Sequence, residues 1–160
     1  MLKRSENNPF YANGLRFSCK RCSRCCRYDS GYVFLSENDA LRMAAALKMS
    51  NKEFTAAFCR WISIGNGQAQ LSLKEKSNYD CILWSLNAGD SSEGGCSVYN
   101  ERPLQCRAFP FWQSMLASEE SWETASLECP GMGKGSLYSR DSINDWLSMQ
   151  ENEPIMLRKV

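Results

Sequence analysis

Four thiols fall within eight residues in Cys19-Lys-Arg-Cys22-Ser-Arg-Cys25-Cys26, at spacings i, i+3, i+6 and i+7. On a helical or turn-rich backbone these spacings return near one face, so several sulfurs can converge. Converging thiolates are the donor set that zinc and iron–sulfur clusters take. Disulfide pairing is the competing use of so many cysteines. Adjacent Cys25 and Cys26 would bridge only under strain, and nine cysteines, an odd number, do not close a disulfide framework.

Cys81, Cys96, Cys106 and Cys129 each fall in or beside a loop or short strand, and with the first four they make eight, enough for two four-thiolate sites. The C-x2-C-x2-C spacing of Cys19, Cys22 and Cys25 matches the first three ligands of a ferredoxin-type run, which ends in Cys-Pro. Cys129-Pro130 is the matching dipeptide, and Cys26, Cys81, Cys96 and Cys106 then remain for a second site. Zinc accepts the same thiolates, so the cofactor is expected to be an iron–sulfur cluster or Zn. The ninth cysteine, Cys59, falls within a predicted helix and is expected to pack as a small hydrophobe. Arg102 and Arg107 flank Cys106 and are expected to bind the cofactor by donating hydrogen bonds to sulfur and offsetting its negative charge. The same need explains the basic bias of residues 1–27, seven Lys and Arg against the single acid Glu6.

Composition narrows the chemistry. The chain has no histidine, so histidine-based triads and histidine-ligated hydrolytic zinc are excluded. Apolar content of 43% and charged content of 23% are those of a globular protein, and the net charge of +1 gives no general affinity for nucleic acid or membranes. No apolar run is long enough to span a bilayer, and the first residues lack the apolar core of a signal peptide. The expectation is a cytoplasmic protein with reduced thiols, with neither membrane nor nucleic acid as partner; a protein partner is left open.

The elements that must position the cysteines follow from the pattern. Residues 1–15 are polar and broken by Asn-Asn-Pro and Asn-Gly, and are expected to be a mobile arm before a single domain, 16–160. Gly31–Leu35 reads as a short strand. Ser36 and Ser50 read as caps of two consecutive helices, each with an acid three residues on. The first buries Leu41, Ala44, Ala45 and Leu47, and the second carries Phe54, Ala57, Phe58, Trp61 and Ile62 on one face, with Cys59 off it. Ala69–Lys74 and Cys81–Trp84 read as strands that could pair with each other, and Asn87–Gly95 as a loop. Cys96–Tyr99 reads as a strand, and Pro103 opens a short helix carrying Cys106 that Pro110 ends. Phe111–Leu116 and Trp122–Ser126 suggest a hairpin. Gly131–Gly135 reads as a flexible loop that lets Cys129 reach a metal; it lacks the strand before and helix after that a nucleotide or methyl-donor loop needs. A last helix, capped by Ser139 or Ser142, turns Ile143, Trp146 and Leu147 inward. The fold class is α+β: one small cysteine-rich domain with short strands, two consecutive helices and a C-terminal helix.

Taken together, Cys19-x2-Cys22-x2-Cys25-Cys26, Gly31-x-Val33-x-Leu35, Cys81, Cys96-x2-Tyr99-x2-Arg102-Pro103-x2-Cys106-Arg107-x-Phe109-Pro110-Phe111 and Cys129-Pro130-Gly131 resemble the YkgJ-like cysteine-cluster family. The resemblance covers about residues 16–135 and implies a zinc- or iron-chelating domain with eight cysteines. Some relatives are named flagellin N-methylases, so it also implies an alternative, an enzyme related to protein-lysine N-methyltransferases. A non-enzymatic metal carrier or docking module is the other alternative. Cys59 lies outside the family pattern.

Overall fold

The computed structural model describes residues 8–88 and 92–160. The first seven residues of the expected arm, and positions 89–91 of the expected Asn87–Gly95 loop, lie outside the described residues. Among the described residues, five α-helices and seven strands in small sheets make a mixed α+β fold. The chain divides into two compact units: Arg21–Phe109 with Met149–Val160, and the residues through Lys20 with Pro110–Ser148.

The larger unit is built on the antiparallel sheet β2 (Cys59–Gly65), β3 (Gln68–Leu73) and β7 (Leu157–Lys159), in the order β2-β3-β7. Gly65, Asn66 and Gly67 all take positive φ, of 90°, 52° and 66°, and reverse the chain between β2 and β3. In β3, Ala69, Leu71 and Leu73 alternate into the core. Val33 and Leu35 hydrogen-bond along β3, with Leu73 N–H to Val33 O at 3.0 Å and Leu35 N–H to Leu71 O at 3.0 Å. The expected Gly31–Leu35 strand is reduced to single bridges, Phe34 to Ser72 and Ser36 to Ile155.

Both expected caps are present as reciprocal boxes. Ser36 and Asp39 open α1 (Glu37–Ala46), and Ser50 and Glu53 open α2 (Asn51–Phe58). The buried face of α1 is Ala40, Met43 and Ala44, whereas Leu41, expected inside, is 48% exposed. Helix α2 stops at Phe58, so Cys59, Trp61 and Ile62 belong to β2 and not to a helix. The run Cys-Arg-Trp-Ile-Ser-Ile is rich in β-branched and aromatic residues and ends at an Asn-Gly turn, and hairpin pairing outweighs the helical spacing of its apolar residues. Strand β3 pairs with β2 and β7, and the expected pairing with Cys81–Trp84 is confined to the turn end, where Cys81 bridges Glu75 and the Ile82 N–H bonds Lys74 O at 3.1 Å. Strands β4 (Trp84–Ser85) and β5 (Gly95–Cys96) form a small ladder, followed by α3 (Leu104–Ala108).

In the second unit, β1 (Leu15–Phe17) pairs antiparallel with β6 (Ser136–Tyr138). Phe17, Trp122 and Tyr138 surround Phe111, the Trp122 ring stacked on it at 6.1 Å. The expected hairpin here is instead a helix, α4 (Glu119–Glu128). Ser118 caps it by accepting from Ser121 N–H at 3.0 Å, and Glu119 and Glu120 suit the positive end of the helix. Those are helix-start signals, and they override the turn reading of Ala117-Ser-Glu-Glu120. The last helix, α5 (Arg140–Asn152), begins in this unit, and Ile143 is fully buried. Among the described residues no helix is long and apolar enough to cross a membrane.

Candidate metal centre

Turns, not a helix, shape the cysteine run. Arg21, Ser23 and Tyr28 take φ of 51°, 63° and 79°, a left-handed backbone that costs residues with a Cβ about 1–2 kcal/mol each. Between them only Arg24–Cys26 is regular, as one 3-10 turn. The Ser23 carbonyl accepts both the N–H of Cys26 at 3.1 Å and its S–H at 3.3 Å. The Cys26 carbonyl in turn accepts the N–H of Cys81 at 2.8 Å, which ties the run to the second cysteine segment.

The other segments are held as firmly. The β4–β5 ladder sets Cys96 opposite Trp84. Cys106 lies in the middle of α3, whose N-cap residue, Pro103, has no side chain with which to cap. The cap comes from α1: the Asp39 carboxylate, 1% exposed, accepts the Leu104 N–H at 2.9 Å while also accepting from Ser36 N–H and Arg42. A scaffold helix thereby orients the helix that carries Cys106.

Five thiols of the larger unit act on one another electrostatically. Side-chain hydrogen bonding between the adjacent Cys25 and Cys26 thiols is the largest cause acting on each, raising the pKa of Cys26 and lowering that of Cys25 from 9.0 to about 7. Cys25 is exposed as a residue, yet its sulfur is crowded enough for burial to oppose ionisation; Arg102 favours it. Burial pushes Cys81 up to about 11, and backbone N–H groups of Leu83 and Trp84 partly offset this. Burial also raises Cys96, and it raises Cys106, on which Cys81, Cys25 and Cys96 all act in the same direction. The charged side chains acting on these five include one another, Arg102 and, for Cys81, Lys76, and Cys26 in turn acts on Arg27.

The two flanking arginines diverge. Arg102 acts on Cys25, Cys96 and Cys106, with its Nε bonded to Tyr99 O at 2.8 Å and its guanidinium 3.8 Å from the Tyr99 ring centre. Arg107 bonds the Arg102 carbonyl at 3.0 Å, and the charges acting on it are Arg42, Asp39, Glu153 and Arg102. Burial, with Arg42 adding, lowers its pKa.

The remaining cysteines are placed as follows. Cys22 is exposed in the larger unit. Cys19 and Cys129 belong to the second unit, at one end of the ladder that continues β1–β6: Phe17 bridges Met132, and Ser18 N–H bonds Gly131 O at 3.1 Å. The loop after Cys129, expected to be flexible, is pinned there. A Cβ at Gly131 would fall 2.3 Å from the Ser18 carbonyl oxygen, so only glycine permits the approach. Cys59 is buried in the hydrophobic core, with its pKa raised to about 12 by burial. All nine cysteines are thiols. Among the described residues no three Cys, Asp or Glu side chains stand already arranged to hold a metal ion, so the five thiols share a neighbourhood, not a finished coordination sphere.

The sequence reading overlooked Asp39, Arg27, Asp80 and Trp84. Arg27 directly follows Cys26, Asp80 directly precedes Cys81, and their side chains pair at 3.0 Å. Opposite charges beside two candidate ligands were the available signal. The Asp39 contact depends on the tertiary fold and has no local signature.

A cluster of thiols with a half-buried guanidinium beside it and no histidine is a donor set for soft metals. The chain belongs to the CxxCxxCC family, described as a "putative zinc- or iron-chelating domain", whose model matches residues 18–130. Cysteine-ligated metal binding is thus the family's general function. No solved structure matches the chain.

Proposed function

We propose that this chain is a cytoplasmic metal-binding protein whose thiols hold an iron–sulfur cluster or zinc, with Cys26, Cys81, Cys96 and Cys106 as one four-cysteine set. The observation that carries the reading is the mutual electrostatic neighbourhood of these thiols with Cys25. The donor chemistry fits a cation: several thiolates could not be buried together without one. Cys19, Cys22, Cys25 and Cys129 complete the eight ligands. Bound metal supplies fold stability and, as a cluster, one-electron redox chemistry. The chain's own part is to place sulfurs on turns, to release their protons when metal enters, and to offset the remaining charge with Arg102. Arg107 supports Arg102 through its carbonyl.

Methyl transfer gains no support from the glycine loop, because Gly131 and Gly133 are taken up in hydrogen bonds to Ser18 and Arg16. The test is metal per chain in Cys106→Ser and Cys59→Ala, purified side by side under reducing, anaerobic conditions. Cys106→Ser is expected to lose metal and Cys59→Ala to keep it. The reverse pattern would discard the ligand set.

A further inference from the structure

The turn Ser23–Arg27 carries Cys25 and Cys26, and one indole touches both of its ends. Ser23 precedes the 3-10 turn, where a serine ordinarily caps, yet its side chain makes no cap bond. Its Oγ accepts instead from Trp84 Nε1 at 3.1 Å. At the far end the Arg27 guanidinium lies 3.7 Å from the Trp84 ring centre, while its Nε bonds Asp80 at 3.0 Å. The main chain of Trp84 is itself tied to the other cysteines: its N–H bonds Cys81 O at 2.9 Å, and it pairs with Cys96 in the β4–β5 ladder. The indole is 7% exposed, and space for it is kept by Gly94, at φ +81°, where a Cβ would lie 2.7 Å from the Trp84 ring. A second contact of the same kind lies upstream, with Arg21 4.0 Å from the ring centre of Tyr99, three residues after Cys96.

We infer that Trp84 is a positioning residue for the metal centre: its N–H and its ring face, gripping Ser23 and Arg27, set Cys25 and Cys26 at a fixed place relative to Cys81 and Cys96. This rests on the metal-binding reading above. The indole N–H is a hydrogen-bond donor only and offers a metal no lone pair. It acts through the turn, whose left-handed Ser23 would otherwise relax. Cation–π attraction holds a guanidinium or ammonium on a ring face, so the ring and the N–H are separable parts of the grip. Trp84→Phe keeps a face for Arg27 and removes the bond to Ser23. Arg27→Lys keeps a cation, and Arg27→Gln removes it.

The experiment is titration of the full metal-free chain with Co(II) alone, under reducing and anaerobic conditions, reading the sulfur-to-cobalt charge-transfer band, the d–d bands and the affinity against a competing chelator. Trp84→Phe is expected to keep the stoichiometry, bind at least tenfold more weakly and shift the d–d bands. Arg27→Gln is expected to weaken binding similarly, with Arg27→Lys recovering most of the loss. Phe54→Leu, a core change that lowers stability, is the control and should leave band positions and affinity as in the parent chain. Wild-type affinity and bands in both Trp84→Phe and Arg27→Gln would overturn the inference and leave the metal reading standing. Equal changes in Phe54→Leu would also overturn it, by reducing the effect to stability. A parent chain that gives no sulfur-to-cobalt band would remove the metal reading itself, and this inference with it.

Discussion

Replacing Asp39 by alanine tests whether α1 holds the Cys106 helix in place. The carboxylate accepts from Ser36 N–H at 3.2 Å, Leu104 N–H at 2.9 Å and Arg42 Nη2 at 2.7 Å. Ser36 and Leu104 are 2% and 6% exposed, so water does not replace the lost acceptor. Each orphaned buried N–H costs about 1–3 kcal/mol. The Arg42 side chain is 35% exposed, and its ion pair is screened to about 1 kcal/mol at most. The expected loss is about 3–5 kcal/mol, a large part of the ~5–15 kcal/mol that holds a domain together. Asp39→Asn keeps one acceptor and should lose roughly half as much. Urea unfolding of the metal-loaded chain gives the magnitude, and hydrogen exchange at the Leu104 amide gives the location. A loss below about 1 kcal/mol in Asp39→Ala, or unchanged protection of the Leu104 amide, would refute the reasoning.

Three further outcomes are expected. Because the folded pKa values of Cys81 and Cys59 are raised from 9.0 to about 11 and about 12, the metal-free fold holds their protons more tightly than the unfolded chain does. Their contribution is therefore complete below pH 9 and is lost as pH rises from there toward 11 and 12; unfolding curves of metal-free and loaded chain should diverge in that window, since bound metal has already displaced the Cys81 proton. Gly131→Ala should lower the melting temperature, costing about 3 kcal/mol, because its Cβ meets the Ser18 carbonyl and parts the strand that leads to Cys19. Lys48→Gly should raise stability by about 1 kcal/mol in the same assay, because Lys48 ends α1 at φ +56°, with Lys48 N–H to Ala45 O and Met49 N–H to Ala44 O closing the turn.

What was legible in the sequence was local. The boxes Ser36–Asp39 and Ser50–Glu53, the strand at Gln68–Leu73, and the short helix between Pro103 and Pro110 follow from caps, alternation and proline, and each is found. The errors came where two local signals competed. Trp61 and Ile62 fit a helical face with Cys59 at its border, but the Gly-Asn-Gly turn after them commits the segment to a hairpin. Ser118 to Glu120 reads as a turn until the acids are seen to match a helix start. Which cysteines gather is not a local property at all. Cys25, Cys81, Cys96 and Cys106 are up to 81 positions apart (106 − 25), and what joins them is the Cys26–Cys81 backbone bond, the Trp84–Cys96 pairing and the Asp39 cap.

The central claim is that these thiols hold a metal. Its most direct test is zinc, iron and acid-labile sulfide per chain, with the visible spectrum, on protein purified without oxygen. The account predicts stoichiometric metal: a broad visible band with sulfide for a cluster, or a colourless sample with zinc. It also predicts that Cys81→Ser and Cys96→Ser lower the metal content. A folded chain without metal, in which all nine thiols react with a thiol reagent after unfolding and none bound metal before it, would contradict the account.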